Sequence, residues 1–323
     1  MKFYALFSFS TWSDQFSSMR LMLCNGLILV LITIMFLSNP VRADDRKLLI
    51  VNSNANLLNY QRSEQAFENN QSYQLTHVDL ANKSFLDEKT KTLLKETDIV
   101  YTIGSKAYHF VTKLGINKPI VFSTIINSLR LPKKDNAYGV ANELPAGMQL
   151  MMYRYIFPEL KKLGIIYSRD MNQEWLDEAI STSHDVGIEI ISEAVDKDDV
   201  FESKLEALLG KVDALWLIAD SATASHETVE KIFDYSHKMK KPVFAYENFY
   251  ADLGALLVIS SDIPTISRQV VTLVDDVLNN RPIDKKIVAA AGFHIILNMK
   301  ALNAHYSLKL NEQALDSVNQ IIE

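Results

Sequence analysis

The chain of 323 residues has only one cysteine, Cys24, so it cannot form an internal disulfide. Cys24 lies near the start of an apolar run at residues 21–37 and follows Leu23. A lipid-modified cysteine would instead come after such a run and follow a small residue, so lipidation is not expected. Without disulfides the protein depends on its hydrophobic core, and the residues beyond this run are numerous enough for one large core or two medium-sized cores.

Basic charge is scarce as well. The chain has 33 Lys and Arg residues against 39 Asp and Glu residues, which gives a formal net charge of −6. No basic run or Arg-rich segment stands out. Because nucleic-acid binding requires basic side chains to neutralise phosphates, we expect no nucleic-acid partner.

Sequence motifs of catalysis and metal binding are missing. The ten glycines form no G-x-G-x-x-G, G-x-x-x-x-G-K or G-x-S-x-G motif. The seven histidines have no metal-binding spacing. His226-Glu227-x-x-Glu230 lacks the second histidine of a zinc helix and is explained better as a solvated helix face. We therefore expect no cofactor, no metal site and no enzymatic activity.

The apolar run near the N-terminus has the features of a signal peptide. Arg20 precedes it, Pro40 ends it, and Val41-x-Ala43 provides small residues before a cleavage site. We predict a signal peptide at residues 1–43 and export to the periplasm, and a start at Met19 would give a leader of ordinary length. An uncleaved membrane anchor remains an alternative, since about 20 apolar residues span a bilayer. The leader carries a net charge of +2, so the rest of the chain carries about −8.

Beyond residue 44, short apolar strands alternate with amphipathic helices. Such alternation with short loops predicts an α/β fold, in which a parallel sheet has helices on both faces. Uniformly apolar strands are typical of strands buried on both faces. Strands are predicted at residues 47–52, 73–79, 98–103, 119–122 and 138–140, and helices at 57–69, 85–96 and 105–114.

This pattern restarts in the second half of the chain. Residues 47–53, 73–76 and 98–104 match residues 115 positions later, and residues 118–122 match residues 123 positions later. We therefore predict two Rossmann-like lobes joined by a hinge, although generic α/β similarity is an alternative explanation. The expected lobes comprise 44–141 with about 261–292, and 142–260 with about 293–323. The tail is predicted as a strand at 254–260, a helix at 263–280, strands at 283–288 and 293–297, and helices at 301–308 and 312–322.

Polar side chains follow the predicted strands in both halves. Ligands of open parallel sheets bind beyond the carboxyl ends of the strands, so these residues are the candidate binding site. An amino acid would fit, with its carboxylate at Ser105 or another helix N-terminus and its ammonium at Asp220 or Glu247. The candidates are Ser53, Asn54, Gly104, Ser105, Ser123, Thr124, Asn142, Ser168, Asp220, Ser221, Tyr246, Glu247 and Asn248, with Asp79 and Thr223 beside them.

Several candidates have a plain structural alternative. Ser105 can be only the N-cap of its helix, and Ser221 and Thr223 can cap a helix at 224–237. Asp220 can be an exposed turn residue and Glu247 part of a solvated loop. Three more candidates have an alternative role without ligand contact. Ser53 and Ser168 can share a role in a turn, and Asn142 can belong to an ordinary loop. Among the aromatic residues at strand ends, core packing is expected for Tyr101, Phe122 and Trp216, whereas Tyr246 could stack on a ligand.

The segment GVxxxLPAGxQLxxxRxxFPxLKKLGIIYS at 139–168, with Gly254-Ala-Leu before the last long helix, resembles the ABC transporter substrate-binding family. Within it, the chain is similar to the type I periplasmic binding proteins associated with tryptophan and other aromatic amino acids. The resemblance covers about residues 47–311. It implies a Venus-flytrap fold, no cofactor, and delivery of a solute to a membrane permease and ATPase.

The resemblance also implies ligand contacts at the strand exits, which are the residues that directly follow the strands. These contacts fall at Ser53-Asn54, Gly104-Ser105, Asp220 and Tyr246 to Asn248. Many members have an Asp-Pro pair after the fourth strand, where this chain has Ile126-Asn127-Ser128. This departure leaves open a different ligand, or a periplasmic sensor that hands its closed state to a membrane signalling protein. An exported α/β enzyme and a structural protein with a degenerate cleft are the remaining alternatives.

Overall fold

In a computed structural model of the chain, the strands form two sheets, and helices pack against them. The structure describes residues 44–83, 87–128, 131–132, 134–196, 200–306 and 308–323. The predicted signal peptide lies outside these residues. Among the helices within these ranges, none combines the length and the apolar character needed to cross a bilayer.

Within the described residues from 44 to 140, five strands and three helices follow the predicted alternation. They are β1 (Asp44–Asn52), α1 (Leu58–Glu68), β2 (Tyr73–Asp79), α2 (Glu88–Glu96), β3 (Ile99–Ile103), α3 (Ser105–Lys113), β4 (Ile120–Ser123) and β5 (Ala137–Val140).

The second half repeats this order. Its elements are α4 (Ala146–Ile156), β6 (Lys162–Tyr167), α5 (Arg169–Asp185), β7 (Glu189–Ala194), α6 (Phe201–Leu209), β8 (Ala214–Trp216), a 3-10 turn (Ser221–Thr223), α7 (His226–Lys238), β9 (Val243–Ala245), α8 (Phe249–Asp252) and β10 (Leu257–Ser261). The tail contains α9 (Ile263–Leu278), β11 (Ile287–Val288), β12 (Phe293–Asn298), α10 (Met299–His305), a 3-10 turn (Glu312–Ser317) and β13 (Gln320–Ile322).

The two sheets have the same central topology. The first has the order β11-β5-β4-β3-β1-β2 and the second the order β13-β12-β10-β9-β8-β6-β7. Removing the tail strands leaves β5-β4-β3-β1-β2 and β10-β9-β8-β6-β7, in which each strand of one half occupies the place of its counterpart. Registered pairs are parallel except β10 with β12, which is antiparallel. The predicted two-lobed α/β fold is thus confirmed, and each lobe is one sheet with its helices.

The central strands are buried because helices cover both faces of each sheet. Every residue of β3 and β4 is buried. On one face of the first sheet Tyr101 packs with Phe67 of α1, and on the other Phe122 packs with Tyr108 of α3. Tyr101, Phe122 and Trp216 are 0–1 % exposed, which confirms that they are core residues. Complete burial of an apolar side chain such as that of Phe122 contributes roughly 1.5–3 kcal/mol.

In the part of the chain that the structure describes, the backbone passes between the sheets three times: from β5 to α4, from β10 to α9, and from β11 to β12. Helix α9 follows a strand of the second sheet, yet it packs on α1, β4 and β5 of the first lobe. Backbone hydrogen bonds from Ala141 to Val288 at 2.8 Å and from Asp262 to Gly292 at 3.0 Å hold the three crossings side by side.

The prediction of a helix at 312–322 is wrong. This segment forms a 3-10 turn, in which Asn311 accepts a hydrogen bond from the Gln313 N–H, and then strand β13. Strand β13 pairs in parallel with β12 at the sheet edge, and the Asn319 side chain accepts a 2.7 Å bond from the Ile295 N–H. An open sheet edge therefore outweighs the local helical pattern. The strand predicted at 283–288 is likewise shortened to Ile287–Val288.

Candidate functional site

Three strand exits of the first lobe lie side by side. Asn52 of β1 is opposite Ile103 of β3, which is opposite Ser123 of β4. The backbone N–H of Ser53 donates to the carbonyl of Ile103 at 2.9 Å, and that of Gly104 donates to Ser123 at 3.0 Å. The structure therefore brings the candidates Ser53, Gly104 and Ser123 to one edge.

The start of α3 differs from the prediction that Ser105 is its N-cap. The N-cap is Gly104, with φ +83°, and Ser105 is the exposed first helical residue. The Oγ of Ser53 accepts a 2.9 Å hydrogen bond from the Ala107 N–H, so it caps the helix from a neighbouring loop. A Cβ at Gly104 would lie 2.6 Å from Ser53 Oγ and 2.8 Å from Tyr60 Cζ. Only glycine allows this close packing of loop, helix and ring.

Ser123 and Thr124 belong to a buried hydroxyl cluster under α1. The Tyr101 hydroxyl lies 2.7 Å from Ser123 Oγ and 3.0 Å from Ser63 Oγ, and Thr124 Oγ1 donates to Ser63 Oγ at 3.0 Å. Burial raises the pKa of Tyr101 to about 12, so the cluster is uncharged. Thr124 has φ +57°, a strained backbone for a β-branched residue. Through these buried hydrogen bonds, Ser123 and Thr124 fix the backbone at the β4 exit.

Asn54 and Asp79 organise the loop between β1 and α1. The Oδ1 of Asn54 accepts a hydrogen bond from the Asn56 N–H at 3.1 Å. The Oδ1 of Asp79 accepts from the N–H groups of Ala55 and Ala81, both at 3.0 Å. Asn54 is half-buried, so it lies at the exit edge with part of its side chain accessible.

Asp220 links two strand exits of the second lobe. Both of its carboxylate oxygens lie 3.0 Å from the Ser168 N–H, and Oδ1 accepts from the Ala222 N–H at 2.7 Å. The side-chain amide of Asn172 also donates to it. Asp220 is 5 % exposed, so the alternative of an exposed turn residue is wrong. Its oxygens already accept bonds from its own lobe, and it joins Ser168 to the β8 exit.

The expected helix at 224–237 begins two residues later than predicted. Helix α7 starts at His226, and its N-cap is Ser225, which accepts from the Thr228 N–H at 3.1 Å. Capping by Ser221 or Thr223 is therefore wrong. Both lie in a 3-10 turn that Asp220 caps, where Ser221 is exposed and Thr223 is buried.

The exit of β9, at the matching edge of the second lobe, consists of Tyr246, Glu247 and Asn248. The ring of Tyr246 lies 5.4 Å from that of Tyr250, with the hydroxyls 3.4 Å apart. Burial raises the pKa of Tyr246, the hydroxyl of Tyr250 raises it further, and the charges of Glu247 and Asp220 add to the shift. Asn248 is exposed, and its Oδ1 accepts a 2.6 Å bond from Ser260 Oγ.

Glu247 is a partly buried carboxyl group at this edge, and its pKa is raised. Burial raises its pKa from 4.5 to about 6, while a hydrogen bond from the Asn59 side chain opposes the shift. Glu247 is only half-buried by surface area, so it lies in a gap with restricted access to water rather than in a solvated loop. Its charge raises the pKa of Tyr60 and Tyr250, in addition to the effect of burial on each.

The two edges face each other. Asn59 and Tyr60 lie in the first turn of α1 in the first lobe, and Glu247 belongs to the second. A second bridge joins Asn127, after β4, to the carbonyl of Ala219, after β8, at 3.2 Å. Hydroxyl, amide, tyrosine and carboxylate groups therefore converge on one gap between the lobes.

Asn142 follows β5, beside the exit of β4 at the same edge of the first sheet. Its Oδ1 accepts a 2.8 Å bond from the Oγ of Ser261, the last residue of β10, so this bond joins the two sheets. Its neighbour Glu143 accepts bonds from the N–H and Oγ of Ser128 at 3.1 and 3.3 Å. Asn142 therefore lies at a strand exit and also joins the two sheets through Ser261.

Sequence reasoning missed Asn59, Tyr60 and Asn127. Each lies one loop or one helical turn beyond a strand exit, outside the residues directly after the strands. The first turn of the helix after each strand faces the same edge as the exit itself, so including that turn would have found Asn59 and Tyr60.

A surface depression of about 650 Å³ lies elsewhere, beside α10 and β13. It lies where β12 and β13 end, and because β12 runs antiparallel to β10, this is the edge of the second sheet opposite to the exits of β8 and β9. Its lining residues are Met299, Lys300, Asn303, Leu315, Ile321 and Glu323. We therefore assign the candidate site to the gap between the lobes.

A family model described as ABC transporter substrate binding protein matches residues 63–322. No curated protein matches the chain. An ABC domain from Streptococcus pneumonia in complex with L-Trp is 19% identical, with a TM-score of 0.59, and the match covers 85% of this chain and 100% of that one.

Two further solved structures are similar over most of the chain. A ligand-free, open substrate binding protein with adhesive properties from Clostridium difficile is 16% identical, with a TM-score of 0.66, covering 86% of this chain and 99% of that one. A periplasmic ribose ABC transporter from Conexibacter woesei is 11% identical, with a TM-score of 0.54, covering 79% and 93%. At these identities the likeness shows a shared fold.

Proposed function

This chain belongs to the ABC transporter substrate-binding protein family, and from that premise we propose that it binds an amino acid or related amine in the gap between its lobes. The observation that carries the proposal is the position of Glu247. Its carboxylate lies at a strand exit of one lobe, with restricted access to water, and faces Asn59 and Tyr60 of the other lobe. An ammonium group placed there would remove the cost of burying this charge.

Tyrosine rings next to Glu247 could contact the ammonium group and the side chain of such a solute. Tyr60 and Tyr246 lie close enough to the carboxylate for its charge to raise the pKa of each. The faces of such rings attract cations and stack on other rings. Because the similar Streptococcus domain is in complex with L-Trp, aromatic amino acids are the first solutes to test.

The start of α3 provides a place for a carboxylate. The first N–H groups of a helix have no partner within the helix, and the dipole there favours negative charge. The Oγ of Ser53 accepts a hydrogen bond from the Ala107 N–H. The N–H groups of Ser105 and Lys106 belong to the same first turn and would be the donors to the carboxylate. Ser105 is exposed at this edge, so its hydroxyl adds a donor. A zwitterion would thus place one end at each lobe.

Binding would close the lobes because the solute contacts both edges only when they meet. Asn127 and Asn59 already form bridges across the gap, so the two edges are within reach of each other. Residues 141–145, 262 and 289–292, which carry the chain between the sheets, would form the hinge and mark the lobe boundaries.

The proposed setting is the periplasm, and the proposed partners are the permease and ATPase of an ABC transporter. The apolar run at residues 21–37 and the small residues before Asp44 support export. Membership in the family supports delivery of the solute to a transporter. A sensor role remains the alternative; capture of the permease by the solute-loaded protein would support uptake.

Thermal unfolding in the presence of each of the twenty amino acids, small amines and sugars tests the proposal. We expect a solute with an ammonium group to raise the melting temperature of the wild-type protein, since ligand that binds only the folded state stabilises it. Glu247→Gln should lose this shift. Glu230→Gln, at an exposed carboxylate on α7, should keep it. A shift only with sugars would overturn the ammonium assignment, and no shift with any solute would overturn solute binding.

A further inference from the structure

A second cluster of polar side chains lies on the first lobe, between α1 and the edge strand β2. Glu64 and Glu68 are one helical turn apart on α1, and His77 is on β2. The Nδ1 of His77 lies 2.8 Å from Glu64 Oε1 and 3.4 Å from Glu68 Oε1. One ligand atom from each residue lies within 4.8 Å of the other two.

These three groups have the chemistry and spacing of a transition-metal site. Imidazole nitrogen and carboxylate oxygen are both ligands of Zn²⁺, and two or three protein ligands leave positions for water. Ligand atoms around a tetrahedral zinc ion are about 3.3 Å apart, as follows from bond lengths near 2.0–2.1 Å. The separations from His77 to the two glutamates, 2.8 and 3.4 Å, are close to this value.

A buried residue outside the cluster orients one of the ligands. Asn52 is 2 % exposed, and its side-chain amide donates to Glu64 Oε2 at 2.6 Å. The other oxygen of Glu64 thereby points to His77. Hydrogen bonds of this kind orient the ligands of metal sites. The Oδ1 of Asn52 accepts from the Asn54 N–H at 3.0 Å, so the cluster is connected to a strand exit of the candidate site.

An ion pair with His77 alone would need only one glutamate. Both glutamates direct a carboxylate oxygen at the same nitrogen of His77, and two like charges brought so close repel each other. A divalent cation would remove this repulsion and use all three groups. We propose that Glu64, Glu68 and His77 bind a divalent transition-metal ion, zinc in the first place, with water completing the coordination.

Calorimetric titration of the tag-free protein with zinc chloride tests the proposal, and visible absorption after addition of Co²⁺ reports the coordination directly. We expect one equivalent of zinc to bind, and His77→Gln and Glu68→Gln each to weaken binding at least tenfold. His226→Gln is the matched control, because His226 lies 3.1 Å from the single carboxylate of Glu230, also one turn away on an exposed helix.

All ligands except Glu64 are more than a third exposed, so the variants should fold, which metal-free melting temperatures would check. Zinc binding that survives in His77→Gln and Glu68→Gln would overturn the proposal. Absence of both binding heat and a cobalt spectrum in the wild-type protein would overturn it as well. Equal affinity for Mg²⁺ would indicate a cluster of acidic groups without a transition-metal site, and would also contradict it.

Discussion

The side-chain amide of Asn127 donates a hydrogen bond to the backbone carbonyl of Ala219, 3.2 Å away, and this bond joins a strand exit of one sheet to a strand exit of the other. Asn172 donates to the same carbonyl at 3.1 Å and also to Asp220. The bridge between the lobes therefore ends on a part of the second lobe that its own hydrogen bonds hold in place. Contacts of this kind favour the arrangement in which the two edges meet.

Removing this bridge should weaken solute binding. Asn127 has φ +59°, so Asn127→Gly keeps a suitable backbone while it deletes the donor. We expect affinity for the solute to fall about 3- to 10-fold, since a net hydrogen bond contributes roughly 1 kcal/mol. Calorimetry measures the affinity, and small-angle scattering the fraction of closed protein. Unchanged values in both would contradict a role in closure.

Replacing Glu247 should stabilise the empty protein and impair its function. Burial raises the pKa of Glu247 in the folded state from 4.5 to about 6. Between these values the folded protein holds a proton that the unfolded chain has released, so stability decreases as pH rises and stays lower at neutral pH. Glu247→Gln should therefore raise the free energy of unfolding by about 1–2 kcal/mol at pH 7.

Denaturant unfolding at several pH values measures this effect. The difference between variant and wild type should vanish below about pH 4.5, where Glu247 is protonated in both states. Affinity for a cationic solute should decrease as pH falls through about 6, because the carboxylate loses its charge. A variant that is less stable at pH 7 would contradict the inference that Glu247 carries a burial cost.

Asp220→Asn should destabilise the second lobe. The carboxylate accepts bonds from the N–H groups of Ser168 and Ala222 and from the amide of Asn172. An asparagine there would direct an N–H₂ group at one of these donors and leave a buried group unsatisfied. We expect a loss of about 1–3 kcal/mol, measured by urea unfolding. Asp213, which accepts from the Lys161 and Lys162 N–H groups at an exposed edge, is the control; an equal cost there would contradict the argument.

Gly104→Ala should disturb both stability and the site. The new Cβ would meet Ser53 Oγ and the Tyr60 ring, on a backbone with φ +83°. Gly115 also has a positive φ, of +61°, but a Cβ there would have no neighbour within 4 Å. Gly115→Ala should therefore cost only about 1 kcal/mol of backbone strain, whereas Gly104→Ala should cost more and weaken solute binding. Thermal unfolding compares the two, and equal costs would show that the Tyr60 contact contributes nothing.

The sheet architecture could be predicted from the sequence because it depends on local apolar patterns. Buried parallel strands such as β3 are apolar throughout, and the offset of 115 residues reports the repeat of whole units. The tail was harder to predict. Its pairing of β13 with β12 depends on an open sheet edge, which the residues 312–322 do not themselves encode.

The candidate site was predictable only in part. The rule that ligands meet the carboxyl ends of strands located Ser53, Asp220 and Glu247. It did not show that Ser53 caps a distant helix or that Asp220 is bound within its own lobe. Nor could it place Tyr60 against Gly104, or His77 beside Glu64. Such pairs join separate elements, and their contacts arise only from the packing of helix α1.

A crystal structure of the protein with the solute that most raises its melting temperature tests the central claim most directly. The account predicts density between the two lobes, with the nitrogen of the solute within hydrogen-bond distance of the Glu247 carboxylate and Tyr60 or Tyr246 beside it. A solute bound outside this gap, or bound within it with its nitrogen directed away from Glu247, would contradict the account.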